Sequence, residues 1–202
     1  FMIANENASN SSSAIGVIDY SVSTSTVYYI EFFTNTANNT SLNKIPIVLE
    51  SQDVFIFRTT VADQHLVLSY VELDSGINQR YKCLAGATAG SDTTGLYVQI
   101  LTCPVGSKLI INFINLFTGG GDDTDYEIQI GGGAGFGLIA STKTLIDGTV
   151  SDNNDNVSLQ QAYVLHSNLF DLGTQQSLII NTSAISHYYI SYLEIRNPPT
   201  RA

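Results

Sequence analysis

Short runs in which apolar and polar residues alternate recur from one end of this 202-residue chain to the other, and almost nothing has the 3.6-residue period of an amphipathic helix. A period of two puts every second side chain on one face of an extended strand, so the pattern calls for paired strands. The chain is all-β. Strands are expected near 14–22, 26–33, 45–50, 53–59, 65–73, 79–84 and 95–103. Later ones are expected near 107–117, 125–130, 136–140, 143–147, 160–166, 176–181 and 186–195. Short strands with turns every eight to twelve residues or so read as two packed antiparallel sheets, a β-sandwich, with a closed barrel as the runner-up. The GGG triplets at 119–121 and 131–133 flank the 125–130 strand and read as sharp turns or mobile loops.

Charge narrows the partners. Only 13% of residues are charged, and eight Lys and Arg stand against eighteen Asp and Glu, for a formal charge of -10. That sign is wrong for counterion release from a nucleic acid and for docking on anionic lipid. The 44% hydrophobic content supplies a core and rules out disorder, while no apolar run is long enough to cross a membrane as a helix. Phe1 and the lone Met2 are expected to mark either a mature chain whose leader has been removed or a trimmed one, and the first reading favours secretion.

The N-terminus divides into three parts. Residues 4–13 (ANENASNSSS) are polar and of low complexity, 14–22 carry a strand pattern, and STST at 23–26 separates that strand from the aromatic run that follows. Two readings stay open. The strand is either the first of the same head, or it leaves a head of residues 27–202 and completes a neighbour by strand addition, with 1–26 as tail, donor strand and tether. Ile15 and Val17 share one face of this strand, and Ile18, Tyr20 and Val22 share the other.

Cys83 and Cys103, the two cysteines, each end an expected strand and are expected to form a structural disulfide, since a metal pair would need more ligands at shorter spacing. Sequons for N-glycosylation lie at Asn7, Asn10, Asn38, Asn39, Asn156 and Asn181, and all but Asn181 fall in expected loops or tail. Asp122, Asp123, Asp125 and Glu127 crowd one glycine-rich stretch, and Asp152 and Asp155 another, but neither matches a calcium loop. No metal or cofactor is expected.

Catalytic motifs have no visible home. His65, His166 and His187 stand alone within expected strands, and there is no G-x-S-x-G elbow, no H-E-x-x-H and no phosphate loop. Glu50 with Asp53, or Glu72 with Asp74, are carboxylate pairs by spacing alone and read better as solvent-facing strand ends. The chain is expected not to be an enzyme.

In organisation, ANENASNSSSAIGVIDYSVSTST followed by a β head resembles the donor-strand-complemented, type-I-pilin-like subunits of archaeal thread filaments. That resemblance implies an Ig-like, pilin-like antiparallel β-sandwich with an N-terminal donor strand. It also implies a glycosylated extracellular filament polymerising head to tail with itself, serving adhesion or biofilm formation. On it, Ile15, Val17, Ile18, Tyr20 and Val22 would bind the neighbouring subunit. The competing expectation is a secreted, monomeric glycan-binding β-sandwich in which the eleven tyrosines supply stacking faces. A jelly-roll coat protein ranks behind both, because there is no basic arm and the cysteines suggest a disulfide.

Overall fold

The structure is a computed structural model that describes residues 2–42, 46–73, 76, 78–88, 98–118, 123–134, 138–150, 155–166 and 175–196. All of its regular structure is β, and every strand pair is antiparallel. The strands are β1 (Met2–Asn5), β2 (Ser11–Ile18), β3 (Tyr28–Asn35), β4 (Asn39–Leu42), β5 (Val54–Thr59), β6 (Gln64–Val67), β7 (Gln79–Ala87) and β8 (Val98–Thr102). They continue as β9 (Ser107–Thr118), β10 (Thr124–Ala134), β11 (Leu138–Val150), β12 (Asp155–Leu159), β13 (Tyr163–His166), β14 (Gln175–Thr182) and β15 (Ser186–Arg196).

A five-stranded sheet forms the middle layer. It runs β12-β9-β15-β7, with β13 pairing beside β12 on β9. Its strands are apolar on both faces, as a sheet covered on both sides must be. Cys83, Ala85, Phe113 and Tyr189 on one face pack against Ile15, Val17, Tyr28 and Ile30 of the sheet β3-β2-β5. Leu84, Ile114, Leu116 and Ile190 on the other face pack against Ile128, Leu178 and Ile180 of the sheet β11-β10-β14-β8. The sandwich therefore has three layers.

Sheet β4-β1-β6 continues the outer layer lengthwise, because β1 leads into β2, β3 into β4 and β5 into β6 in the same lateral order. The two form one three-stranded ribbon, interrupted at 6–10, 36–38 and 60–63.

Several expectations are corrected here. The polar N-terminus is not a tail: β1 is the middle strand of its sheet, and Ser11–Ser13 open β2. Small hydroxyls can be buried when their hydrogen bonds are met. Asn35 Nδ2 donates to Ser13 Oγ at 2.9 Å, Ser13 Oγ donates to Gln64 Oε1 at 2.6 Å, and Gln64 Nε2 donates to Ser11 Oγ. The boundary after residue 26 thus separates nothing.

The expected donor strand is also part of its own head. It spans Ser11–Ile18 rather than 14–22 and lies between β3 and β5 of the same chain, with Ile15 and Val17 fully buried. Ile18 is half-buried, and Tyr20 and Val22 are exposed in the turn that follows.

Cys83 and Cys103 are not bonded to each other. Cys83 belongs to the core on one side of the middle sheet and Cys103 to the core on the other. A bridge would have to pass through that sheet. The second glycine triplet is not a turn either: Gly131, Gly132 and Gly133 pair with β11 on one side and β14 on the other. The first, 119–121, lies outside the described residues, as do Asp122, Asp74 and Asp152. Strands expected at 136–140 and 143–147 are one, β11, and no strand forms at 46–50.

Candidate functional site

Three carboxylates gather at the outer edge of β7, where an edge strand would otherwise show unpaired N–H groups. Glu50 Oε1 accepts the Cys83 N–H at 3.2 Å, and Asp19 Oδ2 accepts the Ala85 N–H at 3.0 Å. Asp53 Oδ2 accepts the Glu50 N–H at 2.9 Å and takes the Cys83 thiol at 3.1 Å, while its Oδ1 takes the Tyr20 N–H at 3.1 Å. Burial pushes the Glu50 carboxyl up, and the Cys83 N–H partly offsets the rise. Burial, with the neighbouring Asp53, pushes the Cys83 thiol far up, so it stays protonated and a poor nucleophile. Tyr189 completes the corner: its hydroxyl donates to Val48 O and accepts from Val48 N, each at 2.6 Å.

The sequence paired Glu50 with Asp53 as strand ends facing solvent. The structure does bring them together, but as acceptors for backbone donors. A carboxylate occupied in this way closes the edge of the middle sheet to a further strand.

Other groups weighed for chemistry are engaged in the same structural way. Asp125 Oδ1 accepts the Thr149 hydroxyl at 2.7 Å and Glu127 Oε1 the Thr144 hydroxyl at 3.0 Å, both across the β10–β11 ladder. His187 Nδ1 accepts the Tyr29 N–H at 3.1 Å and its ring stacks on Tyr29, and burial lowers its pKa. Phe32 stacks in turn on Phe117. These rings pack on one another rather than offering an open platform. His65 is exposed, 3.5 Å from Glu6. His166 ends β13.

The sequons separate by place. Asn7, Asn10 and Asn38 meet at the interruption of the ribbon, where the Asn38 N–H donates to Asn7 O at 3.2 Å and Asn10 Oδ1 accepts the Ala37 N–H at 3.0 Å, and Asn39 follows as the first residue of β4, opposite Asn5. Asn38 holds a left-handed φ of 53°, a turn conformation that asparagine tolerates. Asn10, Asn38 and Asn39 are exposed. Asn156, expected in a loop, lies in β12 opposite Phe117, and its side chain is hydrogen-bonded to Glu31. Asn181 sits in β14 opposite Glu127, inside a four-stranded sheet.

One surface stands apart. The strand expected over 65–73 pairs only as far as Val67, and Val67, Leu68, Tyr70, Val71 and Leu73 are then 52%, 47%, 78%, 79% and 58% exposed. Among the described residues, none of 68–73 has a hydrogen-bond partner. The sequence pattern marked this stretch as strand-forming, but periodicity does not report whether the partner lies in the same chain.

No protein-family model matches the chain, and no curated protein is significantly similar to it. Solved structures of infectious bursal disease virus are similar. The Gx strain structure matches at 12% identity and a TM-score of 0.39, covering 98% of this chain and 56% of that one. The VP2 subviral particle matches at 12% identity and a TM-score of 0.37, covering 96% and 55%. This chain thus spans little more than half the length of those viral chains, and so low a score places no function on it.

Proposed function

We propose that the chain is a non-catalytic structural subunit whose copies associate through strand edges into an extracellular, glycosylated assembly, with a filament as the form the sequence resemblance favours. The observation that carries this reading is the segment Val67–Leu73, five of whose seven residues are large, apolar and exposed where the pairing of an edge strand ends. Exposed apolar patches of several hundred Å² are uncommon on chains that remain alone and mark contact surfaces. Two features support the reading. The carboxylates that would serve a hydrolase instead hold backbone donors, and four sequons cluster away from the middle sheet. Contacts between copies would not use residues 14–22, which are committed to the head.

Analytical ultracentrifugation with electron microscopy of the purified protein tests the proposal. Concentration-dependent species larger than one chain are expected. A single 21.8 kDa species at every concentration up to about 100 μM, where even weak specific contacts populate, would overturn it.

A further inference from the structure

The strand that begins as β6 outruns its pairing. β6 is the edge of the sheet β4-β1-β6, and its ladder to β1 ends at Val67 opposite Met2. Residues 68–73 run on with neither turn nor bend. They contain no Pro, Lys or Arg, and Glu72 is the one charged side chain by which this edge could discourage pairing. Five of the seven residues 67–73 are Val, Leu or Tyr, spread over both faces, so the segment has the composition of a buried strand and the exposure of a loop.

We propose that residues 67–73 pair antiparallel with the same residues of a second copy across a two-fold axis at Tyr70, joining two β4-β1-β6 sheets into one six-stranded sheet. This rests on the assembly reading above and names one of its contacts: a two-fold contact closes as a dimer, so a filament would need a second contact between such dimers. Geometry restricts the register. An antiparallel pair related by a two-fold axis keeps each copy's faces on the same side, so opposed residues must have the same parity and one residue must face its own symmetry mate across the axis. With Tyr70 there, Val67 faces Leu73, Ser69 faces Val71 and Leu68 faces Glu72. The two most exposed residues, Tyr70 and Val71, then fall at the centre of the contact, where a bound aromatic contributes most.

Charge favours a second copy over a foreign chain. Glu72 is the sole charged residue of 67–73. In this register it lies opposite Leu68, four residues along the strand from its symmetry mate, or roughly 14 Å. That exceeds the screening length of about 8 Å at physiological salt. The segment therefore neither repels itself nor calls for a basic partner.

The test uses single substitutions at exposed positions of the full chain. Tyr70→Cys should form a disulfide-linked dimer on mild oxidation, and Leu68→Cys should not, because its symmetry mate would be four residues away along the strand. The native thiols of Cys83 and Cys103 are buried and leave the wild type uncrosslinked as a control. Val71→Asp should weaken association at least about 100-fold without changing the circular dichroism spectrum, since it adds a charge beside the centre of the contact, next to the Glu72 already in each strand. If larger species persist in Val71→Asp and Tyr70→Cys stays uncrosslinked, this contact is wrong while the assembly reading stands. If the wild type is a monomer throughout, both fall. Equal crosslinking at Leu68 and Tyr70 would mean unspecific collision and would also overturn the register.

Discussion

The carboxylate of Asp19 and the backbone N–H of Ala85, 66 residues apart, meet at 3.0 Å in the protein interior. The side chain is 1% exposed, and its other oxygen accepts the N–H and hydroxyl of Ser21. One acid thus ends β2, shapes the turn after it and closes the edge of β7.

Removing that carboxylate should be costly. Asp19→Ala leaves the Ala85 N–H buried without its acceptor and loosens the turn, so a loss of about 2–4 kcal/mol is expected, larger than for an ordinary hydrogen bond because the acceptor is charged. Urea unfolding measures it. A change below about 0.5 kcal/mol would show that the edge finds another acceptor.

The cysteines give a sharp contrast with the sequence expectation. Unfolded, non-reduced protein should label two thiols per chain, the native protein should label slowly, and reductant should leave Tm unchanged. Protection of both thiols in the unfolded state would restore the disulfide.

The outcome at these residues shows what the sequence could reveal. Alternation identified β5, β9, β14 and β15 to within a residue or so, because burying one or both faces leaves a local mark. It could not place Cys83 and Cys103 on opposite faces of one sheet, since which layer covers which face is a long-range fact. Nor could it find β1 or the Ser11–Ser13 start of β2, where hydrogen bonds to Asn35 and Gln64 replace apolar burial. Glu50 and Asp53 stand three residues apart in the sequence, but their target, the edge of β7, was not visible.

Residues 14–22 can now be tested by face. Val17→Asp puts a charge into a fully buried site and should unfold the domain or cost more than about 4 kcal/mol. Tyr20→Asp, in the exposed turn, should stay within roughly 1 kcal/mol of wild type. Gly16→Ala should also destabilise, because a Cβ there would stand 2.8 Å from the Tyr28 carbonyl oxygen at the β2–β3 bulge. A stable, folded Val17→Asp head would return this strand to the role of a detachable donor.

Glycans should follow exposure. In protein taken from its native surface, Asn10 and one of Asn38 and Asn39 are expected to carry sugar, while Asn156 and Asn181, held in strands, stay bare. Glycopeptide mass spectrometry decides. Sugar at Asn156 with none at Asn10, Asn38 or Asn39 would reverse the assignment.

Glu31 should set a pH dependence of stability. Burial raises its carboxyl to about 7, and the Asn156 side-chain hydrogen bond offsets only part of the rise. Because the folded chain holds this proton more tightly than the unfolded one, the contribution is full below the ordinary glutamate range. It falls as pH rises from about 4.5 towards 7. Glu31→Gln, which cannot ionise, should be neutral near pH 4 and stabilising at pH 8. The gain should be on the order of 1 kcal/mol, since the half-buried carboxyl still meets solvent that screens its charge. Thermal unfolding at both pH values, compared between wild type and variant, gives the difference directly. A gain of equal size at pH 4 and pH 8 would assign the effect to packing against Asn156 instead of to the charge.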